Sequence, residues 1–140
     1  MCGIIGYIGS DAALPIITEG LDRLSYRGYD SAGIALLDGD GIQQYRASGK
    51  LDELRAVLPE TAPATIGVGH TRWSTHGPPT TDNAHPQFDC TGDIAVVHNG
   101  VISNAEALRA ELEDHIFTSE TDTELIAHML EDARTAGGTA

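Results

Sequence analysis

The first residues of the chain, Met1, Cys2 and Gly3, place a thiol beside the amino terminus. Removal of the initiator methionine, which a small second residue permits, leaves Cys2 with a thiol and a free α-amine. Because an α-amine has a pKa of about 7.7–8.0, it is partly unprotonated near neutral pH and can accept the proton of a thiol with a pKa of about 8.5. This is the cysteine counterpart of a threonine activated by its own amine. The pair predicts a nucleophile that requires no histidine.

A lone cysteine at position two has no chemical role in most chains, so other polar residues must support this interpretation. Arg72 carries a planar guanidinium fork that suits a carboxylate, and the alternative is a surface ion pair. Asn99 and Gly100 offer a side-chain amide and an unobstructed backbone N–H to an oxyanion, or else form a hairpin turn. Asp122 lies in the first turn of a predicted helix, where it could simply cap that helix.

Four of the histidines are candidates for a metal site, but they do not suggest one. Their spacing matches no usual zinc pattern, and each histidine is explained as a hydrogen-bonding residue at a loop or strand end. The histidines considered are His70, His76, His85 and His98. Cys90 is interpreted as a small structural residue, and a disulfide with Cys2 is not expected in a reducing compartment. We predict no metal and no cofactor.

Hydrophobic periodicity predicts the elements that must position these groups. Strands are predicted at residues 3–8, 34–37, 42–47, 65–70 and 93–98. Helices are predicted at residues 12–24, 50–58, 105–112 and 119–137, capped by Asp11, by a capping box at Ser103 and by a second one at Ser119, and the last helix stops at Gly137-Gly138. Residues 77–86 form a long polar loop of the kind that is usually functional or disordered. The order favours an α+β domain with a mainly antiparallel sheet, and the chain ends after a helix that no strand covers.

The composition excludes several classes of partner. The net charge is −13, from 21 acidic against 8 basic residues, and Lys50 is the single lysine. Such a charge repels nucleic acids and anionic membranes. The scarcity of lysine also suggests adaptation to high salt, where screening weakens self-repulsion. Neither a run of eighteen apolar residues nor a leader segment is present, which predicts a cytoplasmic protein.

Six motifs, in the same order, resemble the glutaminase domain of the isomerizing glutamine–fructose-6-phosphate aminotransferases. The resemblance covers essentially all 140 residues. The motifs are Met-Cys-Gly-Ile-Ile-Gly at the start, Tyr-Arg-Gly-Tyr-Asp-Ser-Ala-Gly from Tyr26, Gly-His-Thr-Arg-Trp-Ser-Thr-His-Gly from Gly69, Asn-Ala-His-Pro from Asn83, His-Asn-Gly from His98 and Ser-Glu-Thr-Asp-Thr-Glu from Ser119.

This resemblance implies a fold and a domain organisation. The expected fold is the four-layer α/β/β/α sandwich of N-terminal nucleophile hydrolases, with mainly antiparallel sheets. Residues 1–140 would be one glutaminase domain, incomplete at its C-terminus, followed in the whole protein by two sugar-isomerase domains that form a homodimer. Two alternatives stay open. One is another class II amidotransferase such as an amidophosphoribosyltransferase, which usually has His-Arg-Gly-Gln near Tyr26, and the other is a catalytically inactive binding module.

The resemblance also implies roles for ten residues. Cys2 would attack glutamine to form a glutamyl-thioester, and the released ammonia would convert fructose 6-phosphate to glucosamine 6-phosphate. Asn99 and Gly100 would form the oxyanion hole. Substrate binding would involve Arg72, Thr75 and His76 at the carboxylate, Asp122 at the ammonium and Trp73 as a gate for ammonia, which is otherwise a buried core aromatic. Arg27 and His85 would support the site, with Arg27 holding the Cys2 end of its strand.

Overall fold

The computed structural model describes residues 1–137, which form two antiparallel sheets and four α-helices. The elements are β1 (Gly3–Ile8), α1 (Ala13–Leu24), a 3-10 turn (Ser25–Arg27), β2 (Ser31–Asp38), β3 (Gly41–Ser48), α2 (Leu51–Val57), β4 (Ile66–Arg72), β5 (Gln87–Phe88), β6 (Ala95–Val96), α3 (Ala105–Glu111) and α4 (Thr123–Thr135). The main sheet has the order β1-β4-β2-β3, and β5 pairs with β6. The predicted α+β class with antiparallel sheets is confirmed.

Most predicted elements are present, with three differences. The strand predicted at residues 93–98 contains only Ala95–Val96, and its partner β5 lies just after the predicted polar loop. Two-residue strands are too short to show periodicity. The last helix begins at Thr123 rather than at Ser119, because the Thr118 and Ser119 N–H groups donate to the Glu124 carboxylate. This helix was predicted to stop at Gly137-Gly138. It ends two residues earlier than Gly137, at Thr135, and Gly138 lies outside the described residues.

All three predicted helix caps are wrong, and the N-cap of α4 is Asp122 rather than Ser119. The N-cap of α1 is Ala12 rather than Asp11, and the N-cap of α3 is Asn104 rather than Ser103. Neither N-cap residue makes a side-chain capping bond. Each of these two helices begins one residue later than its predicted cap requires.

One face of the main sheet is covered by α1 and α2. Glycines on β4 allow α1 to approach closely, since a Cβ at Gly69 would lie 2.6 Å from Ile17 Cγ2, and one at Gly67 would lie 2.6 Å from Ile17 Cδ1. The core on this side is built from aliphatic and aromatic residues of both layers: Ala13, Leu14, Ile17, Leu21, Tyr29, Ala32, Ile34, Leu36, Ala47, Leu51, Leu54 and Ala64.

The opposite face of the main sheet is partly covered by residues 78–87. The Gln44 side chain donates to Pro86 O at 2.7 Å, and the Arg46 side chain donates to Ala84 O at 3.1 Å. Gly33 is required here, because a Cβ at this position would lie 1.9 Å from His85 O. Helix α4 packs on β5 and β6 from the other side. The layers therefore follow the order α1, main sheet, small sheet, α4, as the resemblance implied.

Part of this second face carries apolar side chains that reach solvent. Ile8 is 78% exposed, and Ile4, Leu37 and Ile66 are 36–42% exposed. Cross-strand pairing of Ile8 with Ile66, and of Ile66 with Leu37, places these side chains on one face. Among residues 1–137, no helix is long and apolar enough to cross a membrane.

Candidate active site

The Cys2 thiol lies at the edge of the main sheet, on the face that carries His70 and Arg72. Ile4 pairs with His70 across β1 and β4, and side chains two residues apart on a strand share a face. Cys2 therefore projects toward the same side as Ile4. Its Sγ accepts a hydrogen bond from the Trp73 N–H at 3.1 Å, and both cysteines of the chain are free thiols. The thiol is held in place by the loop that follows β4.

The chain described here begins with Met1, so the nitrogen of Cys2 is an amide. The Met1 amine donates to Arg27 O at 3.0 Å and to Gly28 O at 2.8 Å. The Arg27 guanidinium is instead exposed and contacts the Tyr26 ring and hydroxyl. Arg27 was predicted to hold this strand end. In the structure its backbone carbonyl contacts the chain terminus, whereas its side chain contacts Tyr26.

A cavity of about 100 Å³ opens beside the thiol. Eight of the ten predicted site residues line it, and Asn99 and Arg27 do not. Its full lining is Cys2, His70, Arg72, Trp73, Thr75, His76, His85, His98, Gly100, Val101, Asp122 and Thr123. Val101 and Thr123 were not among the predicted site residues. Each directly follows one that was, namely Gly100 and Asp122.

Arg72 is buried, and its guanidinium holds the loop that follows β4. Its Nη1 donates to Ser74 Oγ at 3.3 Å and to Pro78 O at 3.1 Å. Its Nη2 donates to His76 O and, at 3.2 Å, to Gly77 O. Burial lowers the pKa of Arg72 from its usual value. The surface ion pair considered from sequence is therefore wrong, and the terminal N–H groups are committed to the chain's own loop.

Asp122 is directed into the cavity and does not cap α4. Its carboxylate makes no side-chain capping bond, although it occupies the N-cap position. Oδ2 accepts a hydrogen bond from the Ile102 N–H at 2.7 Å and lies 3.7 Å from His76 Nδ1. The side chain is 5% exposed. The capping role that the sequence allowed is wrong, and a negative charge is available beside Arg72 and His76.

Asn99 is oriented by the buried ring of His70. His70 Nε2 lies 3.1 Å from His98 O, which can only accept, so Nε2 carries the proton. The Asn99 atom 2.7 Å from that nitrogen is therefore Oδ1. This leaves the two N–H groups of the Asn99 amide free of His70 and available as donors. The His70 ring thus determines which end of the amide is presented.

Neither Gly100 nor Trp73 has the purely structural role that the sequence allowed, which was a hairpin turn for Gly100 and a buried core aromatic for Trp73. Asn99-Gly100 does not turn a hairpin, because β6 pairs only with β5 among the described strands and the chain continues to α3. Gly100 has φ +151°, and a Cβ there would lie 3.0 Å from His98 Nε2. Trp73 is 55% exposed, so the buried-core alternative is wrong. Loops thus place Gly100 and Trp73 at the cavity, and Asn99 lies directly before Gly100.

Two stacked histidines form the floor of the site. The rings of His70 and His85 lie 4.1 Å apart with an interplanar angle of 12°. Burial is the main cause that lowers the pKa of His70 to about 4 and the pKa of His85 to about 2. His85 Nδ1 accepts a hydrogen bond from the His98 N–H at 3.3 Å. Both rings are neutral at pH 7, so they cannot hold an anionic substrate by charge.

The lowered pKa values predict loss of stability in mild acid. Between pH 6.5, the usual pKa of histidine, and pH 4, the unfolded chain binds more protons at His70 and His85 than the folded chain. The free energy of unfolding should therefore fall with decreasing pH, by up to about 1.4 kcal/mol per pH unit for each ring. Urea unfolding of the wild type at pH 6 and 5, compared with His85→Gln, measures this. An equal slope in the variant would contradict the assignment.

Comparisons with known proteins agree with the geometry. Residues 58–137 match the model of the glutamine amidotransferase domain family. The chain is 55% identical over 132 residues to the isomerizing glutamine–fructose-6-phosphate aminotransferase of Halobacterium salinarum and 56% identical over 135 residues to that of Pyrococcus horikoshii. Each match covers 94% of this chain but only 22% and 23% of the relative. The chain thus spans less than a quarter of the length of these relatives.

The structure is similar to that of a glutamine phosphoribosylpyrophosphate amidotransferase from B. subtilis. The TM-score is 0.77 and the sequence identity is 28%, over 94% of this chain and 29% of the other. A structure described as the allosteric regulatory enzyme of purine biosynthesis gives a TM-score of 0.76, also at 28% identity.

Proposed function

Because this chain belongs to the glutamine amidotransferase domain family, we propose that it hydrolyses glutamine through a glutamyl-thioester on Cys2. The observation that carries the proposal is a thiol beside a small cavity that is also lined by an arginine, a buried aspartate and a glycine. The thiolate attacks the side-chain amide carbon, and the carbonyl oxygen becomes an oxyanion. The oxyanion then collapses to the thioester and the C–N bond breaks. The leaving nitrogen takes the proton that the Cys2 α-amine had accepted from the thiol, so it departs as ammonia. Water hydrolyses the thioester to release glutamate.

The charges in the cavity suit the two ends of an amino acid. Arg72, with Thr75 and His76 in the same loop, would bind the α-carboxylate, and Asp122 would bind the α-ammonium. The cavity of about 100 Å³ is small beside ligand pockets of about 300–1,000 Å³, and the Arg72 donors already bond loop carbonyls. We therefore propose that the loop of residues 73–78 moves when glutamine binds, so that Arg72 exchanges a carbonyl for the carboxylate.

The oxyanion would be stabilised by Asn99 and Gly100. The orientation of the Asn99 amide by His70 leaves its N–H groups free of that ring, and the next residue, Gly100, lines the cavity. Preorganised donors of this kind act on charge that develops only during the reaction. Trp73, whose N–H bonds the thiol and whose ring is exposed, would guard the route by which ammonia leaves. His85 would support the site by holding the His98 backbone.

In the whole protein, the ammonia would convert fructose 6-phosphate to glucosamine 6-phosphate. The support is the name shared by relatives that are 55–56% identical to this chain. The amidophosphoribosyltransferase alternative rests on structural neighbours at 28% identity and is therefore weaker. The relatives are more than four times longer than the matched segment, which leaves room for sugar-isomerase domains and for the homodimer that those domains would form.

We also propose that the glutaminase domain continues beyond residue 140. The support is the exposed apolar part of the main sheet, formed by Ile4, Ile8, Leu37 and Ile66. Burying such side chains stabilises a protein by about 25 cal/mol per Å² of apolar surface, so further strands on this face would add stability. If the longer protein left these side chains as accessible to solvent as the present chain does, this proposal would be wrong.

A glutamine-mimicking electrophile tests the nucleophile directly. We expect intact-mass analysis to show loss of Met1 and one adduct per chain, and peptide mapping to place the adduct on Cys2 and not on Cys90. Cys2→Ala should form no adduct. A modified Cys90, or an adduct that survives in Cys2→Ala, would favour an inactive binding module over the enzyme.

A permanent extension before Cys2 should reduce glutamine hydrolysis as strongly as loss of the thiol. The extension leaves the thiol in place but keeps the Cys2 nitrogen as an amide, which cannot accept a proton. The measurement is the steady-state rate of glutamate formation by the extended protein and by the same protein after proteolytic removal of the extension. Normal hydrolysis before removal would exclude activation of the thiol by its own amine.

A further inference from the structure

A second group of reactive side chains lies apart from the Cys2 cavity, on the α4 side of the small sheet. It contains Cys90 from the segment after β5, His115 from the connection between α3 and α4, and His128 and Glu131 from α4. One ligand atom of each lies within 4.8 Å of those of the other three. None of these four residues lines the Cys2 cavity. This group is called the Cys90 cluster below.

Four of the six distances between ligand atoms of the Cys90 cluster match those of a tetrahedral metal site, and the other two are no longer than 4.8 Å. Cys90 Sγ lies 3.5 Å from His115 Nδ1 and 3.6 Å from His128 Nδ1. Glu131 Oε2 lies 3.2 Å from His115 Nδ1 and 3.4 Å from His128 Nδ1. With Zn–S of about 2.3 Å and Zn–N or Zn–O of about 2.0–2.1 Å, tetrahedral angles separate S and N by about 3.6 Å and N and O by about 3.3 Å.

The outer nitrogens of both histidines face carboxylates. His115 Nε2 lies 2.9 Å from Asp132 Oδ1, and His128 Nε2 lies 3.4 Å from Glu124 Oε1. A carboxylate on the outer nitrogen holds the ring proton there, so the Nδ1 lone pair points inward. Two such lone pairs and the Glu131 carboxylate then converge on one point, where the Cys90 thiol is the one side-chain donor among these four residues. A cation at this point would satisfy these converging acceptors.

We propose that the Cys90 cluster binds one Zn²⁺ ion through the Cys90 thiolate, His115 Nδ1, His128 Nδ1 and a Glu131 carboxylate oxygen. One thiolate and one carboxylate balance the two charges of the ion. Thiolate and imidazole ligands together favour zinc over magnesium or calcium. Four protein ligands close the coordination sphere, which is typical of a structural site and leaves no position for a substrate.

The surrounding hydrogen bonds and exposure agree with this assignment. The Ile116 N–H donates to Cys90 Sγ at 3.4 Å, and the Cys90 N–H donates to Glu131 Oε2 at 3.0 Å. Cys90 is exposed and His128 is fully buried, so an ion can enter from one side. The bound ion would tie the small sheet and the α3–α4 connection to α4, the helix that begins directly after Asp122. Zinc would thereby stabilise the element that positions one wall of the Cys2 cavity.

Cobalt substitution tests the site, because Co²⁺ bound to a thiolate has an intense charge-transfer band. The purified chain is stripped with a chelator and titrated with Co²⁺ and then with Zn²⁺. We expect one Co²⁺ per chain, a tetrahedral spectrum with a thiolate band, and displacement of the cobalt by one equivalent of zinc. The chain has two cysteines, which gives a matched pair of variants: Cys90→Ser should lose the band and Cys2→Ser should keep it. A band that persists in Cys90→Ser, or no binding of either metal, would overturn the proposal.

Two further measurements keep the test decisive if Cys90→Ser fails to fold. Asp132→Asn should weaken zinc binding about 10- to 100-fold, because it removes the carboxylate behind His115, whereas Asp114→Asn should not change it. Free zinc at about one hundred times its Kd should raise the Tm of the stripped wild-type chain by roughly 10 °C. If a network of protonated histidines and carboxylates explains the cluster instead, zinc will change neither the Tm nor the spectrum, and the proposal is wrong.

Discussion

Cys2→Ala is expected to lower the kcat of glutamine hydrolysis by at least about 10⁴-fold while leaving glutamine affinity within a few-fold of the wild type. The thiol would supply the atom that forms the thioester, and no other residue that lines the cavity carries a thiol. The groups proposed to bind the two ends of glutamine, Arg72 and Asp122, belong to β4 and to the start of α4. Their positions do not depend on the Cys2 side chain.

Cys2→Ser provides the matched comparison, since it changes a single atom. It should be nearly as inactive as Cys2→Ala, because a hydroxyl is a much weaker acid than a thiol and an α-amine cannot deprotonate it efficiently. Single-turnover kinetics with the purified protein measure the chemical step, and equilibrium titration with glutamine measures binding. Activity near that of the wild type in either variant would remove the N-terminal nucleophile from the mechanism.

Asn99→Ala should lower kcat about 10²- to 10³-fold, equivalent to about 2.7–4 kcal/mol, and leave KM nearly unchanged. In its proposed role, Asn99 would meet charge that exists only in the tetrahedral intermediate, so its loss should not affect binding of the ground state. His70→Leu, which releases the Asn99 amide from its fixed orientation, should lower kcat in the same direction but by less. Steady-state kinetics of the two variants report the split between kcat and KM.

Arg72→Lys is the control for this division of roles. It loses the planar fork that would bind a carboxylate whose charge does not change during the reaction, so it should mainly raise KM. It also loses bonds to the carbonyls of residues 76–78, so the loop that holds the thiol should become less ordered. An Asn99→Ala enzyme with unchanged kcat and raised KM would show that Asn99 is a binding or turn residue and not an oxyanion donor.

If the Cys90 cluster binds zinc, the two ends of α4 have separate tasks. Asp122 at its N-terminal end faces the Cys2 cavity, whereas His128 and Glu131 belong to the zinc site. Depletion of zinc would then loosen the helix without removing any residue of the cavity. Stability should therefore respond to zinc more strongly than the chemistry at Cys2 does.

The sequence alone determined the features that depend on short segments. The proposed nucleophile follows from the position of Cys2. The strands β1 to β4 and the helices α1 to α4 follow from hydrophobic periodicity, apart from their end residues. The glutaminase resemblance follows from short motifs in a particular order, and the family match confirms it. Each of these features depends on residues near one another in the chain, and hydrophobic periodicity predicts local structure from such residues.

Only the tertiary structure decided how distant side chains share hydrogen bonds. His70 and Asn99 are far apart in sequence, yet their contact sets the orientation of the amide. A guanidinium can bind either a substrate carboxylate or the carbonyls of its own loop, and the sequence does not distinguish these two cases. The bonds from Arg72 to the loop carbonyls could therefore not be predicted. The same holds for Asp122, which faces the cavity because the Ile102 N–H is close enough to compete with the helix terminus.

The Cys90 cluster is the clearest case of this limit. Spacing in the chain excluded zinc among the histidines that were considered, because ligand spacing identifies a site only when the ligands lie close together in sequence. Cys90, His115 and His128 come from three segments, and their convergence depends on how the small sheet, the α3–α4 connection and α4 pack. A metal site assembled by packing leaves no local pattern, so the sequence determined the ligand types and the fold alone brought their atoms to coordinating distances.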